Sequence, residues 1–250
     1  TILITGATDG IGEGLARRLV EHGREVIVHG RSREKADAAA ERVGANAIAV
    51  ADLTSFAQVR AMADDVAARF ERLDALVNNA GIGFGATKPP RLARTEDGRD
   101  PTWQVNVLSA FLLTQRLQPR LTSGRVTYVS SGLHSGGRID FDHPDDPRRG
   151  NAYGQSKLAQ VMLAREQADR WPDVDVNACS PGWIATKMGG SGGAPLEQGV
   201  DTPFWLVTDP DLRGTSGRYF SSRREQRPHP SVEDADARSR LWDLVERSVA

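Results

Sequence analysis

A tyrosine and a lysine four positions apart, Tyr153 and Lys157 in the stretch AYGQSKLAQ (152 to 160), are the first candidates for chemistry, because the chain holds only three tyrosines in 250 residues. The apolar positions Leu158, Val161, Met162 and Ala164 recur at helical spacing, so the segment reads as a helix. Four residues apart on a helix, the two side chains share one face. A phenol with a pKa of about 10 exchanges protons poorly at neutral pH, whereas a neighbouring ammonium favours phenolate and brings that pKa toward the working range. The pair therefore reads as a general acid/base, against the plainer alternative of a half-buried tyrosine beside a surface lysine.

A second chemical signal stands at the start of the chain. The apolar run ILIT (2 to 5) leads straight into TGATDGIGEG, with Gly6, Gly10 and Gly12 in a turn that opens an amphipathic helix. That context lets the backbone approach a dinucleotide pyrophosphate and sets the helix dipole against its charge. About 20 residues on, an acid ordinarily receives the adenosine ribose hydroxyls. Here the sequence reads VHGRSR, with Gly30 in the acid's place and Arg31 and Arg33 just beyond. An aspartate repels the extra phosphate of NADP and an arginine fork pairs with it, so the exchange predicts NADP(H) over NAD(H).

The elements that must position these residues alternate in a regular rhythm. Strands are expected at ILIT (2 to 5), EVIVH (25 to 29), NAIAV (46 to 50), DALVN (74 to 78), RVTYVS (125 to 130), DVNAC (175 to 179) and RYF (218 to 220). Between them, stripes such as Ile11, Leu15, Leu19 and Val20, or Val59, Met62, Val66 and Phe70, keep helical spacing and read as core. The expected fold is α/β: a Rossmann-type, doubly wound, seven-stranded parallel sheet with helices on both faces, in three layers. One domain is expected over residues 1–250, with 221–250 a C-terminal extension bearing a helix near 238–248. Two segments break the rhythm. SGLHSGGRIDFDHPDDPRRG (131 to 150) reads as a surface excursion, and KMGGSGGAPLEQG (187 to 199), with five glycines, reads as a mobile lid or linker beyond a strand end.

Composition narrows the function classes. A net charge of −1 gives no pull toward nucleic acid or an anionic membrane, and the arginine-rich SSRREQRP reads as a solvated or packed tail. No apolar run reaches the 18 or so residues of a membrane span. The single cysteine, Cys179, excludes an internal disulfide framework and suits a reducing, cytoplasmic setting as a buried spectator. The five histidines, His22, His29, His134, His143 and His229, lack ligand spacing and read as surface or loop residues, so no metal is expected. Leu133, Phe84, Trp183 and Met188 are apolar residues in the loops expected around the reacting end, pointing to a partly hydrophobic carbonyl or alcohol. The chain opens inside an apolar run, which suggests a few residues upstream of Thr1.

Six motifs in order, TGATDGIG, NNAG (78 to 81), VNVLSAF (105 to 111), VSS (129 to 131), YGQSK (153 to 157) and SPGWIAT (180 to 186), resemble the short-chain dehydrogenase/reductase family over residues 1 to about 220. The long segment before Tyr153 and the closing SGRYFSSRREQRPHPSVEDADARSRLWDLVE resemble its retinol-dehydrogenase and protochlorophyllide-reductase-like branch. That resemblance implies that Tyr153 delivers a proton to a carbonyl oxygen, that Ser131 rather than Ser130 hydrogen-bonds this oxygen, and that Lys157 holds the nicotinamide ribose and lowers the tyrosine pKa. It further implies that Asn106 anchors a water linking Lys157 to solvent, and that Asn79 lies along the cofactor while Asn78 braces the fold. Gly6, Ala7, Thr8, Asp9 and Ile11 would line the pyrophosphate and ribose, Asp52 and Leu53 the adenine, and Ile184 and Thr186 the nicotinamide carboxamide. The implied activity is hydride transfer between NADP(H) and a small carbonyl or alcohol; the alternative is a non-catalytic NADP(H) sensor. Relatives pair through the helices bearing Asn106 and Tyr153, although the excursion and the C-terminal helix stand ready to cover those surfaces.

Overall fold

The computed structural model describes residues 1–83, 94–146 and 151–250. Seven short, largely buried runs form the sheet: β1 (Ile2–Ile4), β2 (Val26–Gly30), β3 (Ala47–Val50), β4 (Ala75–Asn78), β5 (Arg125–Val129), β6 (Asp175–Ser180) and β7 (Tyr219–Ser221). Each lies where the aliphatic runs predict a strand. All seven pair in parallel in the order β3-β2-β1-β4-β5-β6-β7, with Leu3 opposite Ile27 on one side and Leu76 on the other. The order reverses between β1 and β4, which opens a crevice at the carboxyl ends of those strands.

An eighth strand corrects the expectation of seven. β8 (Arg224–Glu225) pairs antiparallel with β7 through a tight turn in which Ser222 and Arg223 have φ of 51° and 55°. Such turns are usually announced by Asn-Gly or a similar pair. Two exposed charged residues after Ser-Arg carry no strand signal.

The helices are α1 (Gly10–Glu21), α2 (Arg33–Val43), α3 (Phe56–Arg69), α4 (Pro101–Trp103), α5 (Ser109–Leu117), α6 (Ala152–Arg170), α7 (Leu196–Thr208) and α8 (Ala235–Val249). Strand alternation sends Ile2, Ile4, Val77 and Val129 into a core shared with α1, α2 and α7. Leu3, Leu76, Val126 and Tyr128 point the other way, into a core shared with α3, α5, α6 and α8. The outcome is three layers. Side-chain caps fix where the site-bearing helices begin: Asp9 accepts from Gly10 N–H at 2.7 Å and Asn151 from Gly154 N–H at 2.8 Å. Between α4 and α5 the chain widens into a π-helical stretch, Gln104–Leu108, where Ser109 N–H reaches back to Gln104 O.

The excursion after β5 is pinned to α6. It begins as a 3₁₀ turn, Gly132–Gly136, and Gln155 holds it from the helix, accepting from Asp140 N–H at 2.8 Å and donating to Pro144 O at 2.6 Å. The glycine-rich stretch after β6 carries backbone hydrogen bonds of its own. Ala185 N–H donates to Ala194 O at 2.9 Å and Gly190 N–H to Thr186 O at 2.8 Å. Its glycines serve close approach: a Cβ at Gly189 or Gly193 would stand 2.1 Å from Ile184 O or 2.4 Å from Ile184 C.

Candidate active site

The crevice between β1 and β4 is built by the Thr5–Gly12 turn. Thr5 Oγ1 accepts from Asn79 and Ala80 N–H at 3.0 Å each, and Asn79 Nδ2 donates back to Thr5 O at 2.8 Å. Gly6 has φ +62°, and a Cβ there would stand 2.9 Å from Ala80 Cα; one at Gly12 would stand 2.3 Å from Gly6 O. These glycines let three chain segments meet. The first helical turn leaves N–H groups without intrahelical partners. Gly10 N–H goes to Asp9 at 2.7 Å, which leaves the N–H groups of Ile11 and Gly12 in that first turn. Ala7 is buried in the turn and Thr8 packs on β2. Thr186 lies against Gly10, Lys187 forms an ion pair with Asp9, and a cleft of about 250 Å³ runs between α1 and this loop. A narrow backbone cradle, a helix N-terminus and a nearby ammonium suit a dinucleotide diphosphate.

The end of β2 carries no acid for a steric reason. A Cβ at Gly30 would come within 2.7 Å of Thr8 Cγ2 and 3.2 Å of Ala36 Cβ. Arg31 and Arg33 are exposed and have no carboxylate partner among the described residues. Asp52, past β3, holds Thr54 N–H at 2.9 Å and Thr54 Oγ1 at 2.7 Å, while buried Leu53 ties β3 to α5 by accepting from Ser109 Oγ at 2.6 Å.

At the other side of the crevice α6 presents Tyr153 and Lys157. The Tyr153 phenol is mostly buried near Ser131, and burial pushes its pKa up while the Ser131 hydroxyl pulls it down. Lys157 Nζ is buried 5.5 Å from the tyrosine ring centroid and donates to Val129 O at 2.9 Å and Gln160 Oε1 at 3.1 Å. Burial lowers its pKa to about 8. The expected depression of the phenol by Lys157 is therefore not what this geometry produces, because burial outweighs an ammonium whose hydrogen bonds run elsewhere. Ser130 faces away, donating to Lys157 O at 2.8 Å. Asn106, in the π-helical stretch, clasps Ile82 with its side chain at 2.9 Å in both directions and donates to Ser156 Oγ at 2.9 Å. Its main-chain carbonyl accepts from Gln160 Nε2 at 2.8 Å.

The sequence pattern described as short chain dehydrogenase matches residues 1–195. The chain belongs to the short-chain dehydrogenase/reductase family. It falls in the retinol-dehydrogenase-like branch: retinol dehydrogenase 14 of Homo sapiens is 33% identical, covering 98% of this chain and 85% of that protein. A candidate daunorubicin C-13 ketoreductase of Streptomyces sp. (strain C5) is 35% identical, covering 100% of this chain and 92% of its own. Among solved structures, a short chain dehydrogenase of Shigella flexneri complexed with NADP has a TM-score of 0.70 at 27% identity, covering 89% of this chain and 96% of that one.

Within this dehydrogenase the remaining residues divide. Ile184 is buried, its side chain packed beside Gly199 of α7. Leu133 and Trp183 are half to two-thirds exposed, Met188 is intermediate, and Phe84 lies outside the described residues. Asn78 is a brace, donating to Thr114 Oγ1 at 2.8 Å. Of the five histidines read as surface or loop residues, His29 departs by lying in a strand, and His134 keeps its loop place but is buried. His29 is buried in β2, accepting from Gly6 N–H at Nδ1 (2.9 Å) with Nε2 3.1 Å from Ala51 O, and burial lowers its pKa to about 4. His134 is buried beneath Ser131, with Nδ1 2.8 Å from Ser131 O and Nε2 accepting from His229 N–H at 3.3 Å. Both are neutral side chains satisfied by backbone, an arrangement that no spacing rule announces. Among the described residues no helix is long and apolar enough to cross a membrane.

Proposed function

We propose that this dehydrogenase is an NADP(H)-dependent oxidoreductase interconverting a carbonyl and its alcohol, with residues 1–250 acting as one nucleotide-binding domain. The observation that carries the reading is Tyr153 placed near Ser131 with the buried Lys157 Nζ 5.5 Å from its ring centroid. NADPH, when bound, supplies the hydride. Ser131 and Tyr153 donate hydrogen bonds to the substrate oxygen as charge grows on it, and Tyr153 then gives up its proton. A phenol kept protonated by burial is in the form that reduction requires. Lys157 holds positive charge near the phenolate so formed, and Asn106 is tied to α6 through the side chains of Ser156 and Gln160. Arg31 takes the adenosine phosphate, Gly30 leaving the strand end free of a repelling carboxylate.

The substrate side is apolar. Leu133 and Trp183 stand exposed on the segments that follow Ser131 and β6. Relatives named for retinol and daunorubicin suggest a bulky, lipophilic compound. Tyr153→Phe should lower kcat by about 10²- to 10⁴-fold with NADPH affinity retained, measured by steady-state assay over ketones and aldehydes and by nucleotide fluorescence. Unchanged turnover would return the chain to a sensing role.

A further inference from the structure

Gln160 lies one turn beyond Lys157 on α6, and the chemistry described so far leaves it unused. It is 0% exposed, and both ends of its amide are engaged. Nε2 donates to Asn106 O at 2.8 Å and Oε1 accepts from Lys157 Nζ at 3.1 Å. The carbonyl it reaches belongs to the π-helical stretch, whose widened turn is the kind of irregularity that frees a main-chain group for a side-chain partner. With Val129 O as the second acceptor, two of the three ammonium N–H bonds of Lys157 are fixed, one toward the sheet and one toward Gln160.

We propose that Gln160 is a positioning residue that braces the Lys157 ammonium between α6 and the π-helical stretch by a direct side-chain bridge. A carboxamide is a poor proton conductor, so the bridge sets the direction and charge of Lys157 and does not relay its proton. Burial drives Lys157 toward the neutral amine, and an acceptor aimed at Nζ opposes that drive by favouring the charged form. Among the described residues the titratable groups facing Lys157 are Tyr153 on its own helix and Cys179 on β6, whose thiol burial pushes up to about 12. β5 offers the Val129 carbonyl, and the π-helical stretch offers the uncharged Asn106. No carboxylate compensates for the loss of the amide.

The effect on turnover rests on Lys157 serving the acid/base chemistry proposed above; the brace itself is measurable without substrate or nucleotide. The chain has four lysines, Lys35, Lys88, Lys157 and Lys187, so ¹³C-lysine labelling gives an NMR titration in which Lys157 is assigned by comparison with Lys157→Arg. Gln160→Met, which keeps length and removes the acceptor, should lower the Lys157 midpoint by about one pH unit. Gln160→Glu should raise it by about as much, because a carboxylate replaces the amide oxygen. The pH dependence of kcat should move in the same two directions. Equal midpoints in wild type and Gln160→Met, or shifts of one sign in both variants, would overturn the brace. Should Gln160→Met fail to fold, Gln160→Asn, with its acceptor withdrawn by one methylene, carries the same downward expectation. Wild-type turnover in Tyr153→Phe would sink the acid/base reading and leave the titration result standing.

Discussion

His29 is the residue whose role the structure changes most. Its ring joins the glycine turn to the end of β3, and it can do so only as the neutral tautomer that accepts from Gly6 N–H and donates to Ala51 O. In the unfolded chain it takes up a proton as pH falls through about 6.5; in the fold burial delays uptake until about 4. The unfolded state binds more protons across that window, so stability falls as pH falls through it. The loss should reach about 3 kcal/mol by pH 4. His29→Gln removes this titration, so urea unfolding between pH 7 and 4 should give a flatter curve for the variant; parallel curves would refute the assignment. Tyr153 and Lys157 stood out in the sequence because a shared helix face needs a fixed spacing, whereas Ser131 came only with the family resemblance. The roles of His29 and Gln160 were not legible, since a buried polar side chain satisfied by main-chain atoms or by one partner leaves no periodic mark in the sequence.

Elements were legible where burial dictates composition. Strands covered on both faces need unbroken aliphatic runs, and β1 and β2 show them. β8 needs only two backbone pairings at an edge, and the π-helical stretch reads like ordinary helix because one extra residue in a turn hardly alters an apolar stripe. The glycine-rich loop shows a second use of glycine beside freedom of motion, since Gly189 and Gly193 permit close packing on Ile184. The end of β2 yields the sharpest element-scale prediction. Gly30 is held small by Thr8 and Ala36, which leaves Arg31 as the first side chain past the strand able to meet a phosphate. Arg31→Ala should weaken NADPH binding by about 10- to 100-fold and NADH binding by less than about threefold, read by fluorescence titration. Equal losses for both nucleotides would place the phosphate elsewhere.

At the scale of the molecule, the helix that carries the site is held by the far end of the chain. α6 is buried on nearly all sides, and α8 is the element that covers its outer flank together with that of α5. A C-terminal helix near 238–248 was expected to be able to cover the helices bearing Asn106 and Tyr153, and α8 lies there. Trp242 packs edge-on against Phe111 at 4.9 Å and Trp171 at 6.3 Å, with the Arg170 guanidinium 4.1 Å from its ring centroid. Buried Arg238 pairs with Glu166 at 3.2 Å and Asp169 at 2.9 Å, both on α6. These contacts make α8 part of the same cooperative unit as Tyr153 and Lys157. Trp242→Ala should then cost about 3–5 kcal/mol and move one transition, so that far-UV circular dichroism and NADPH binding are lost together at lower urea. If the binding midpoint stayed in place while a separate early transition appeared, α8 would be riding on a core that stands without it.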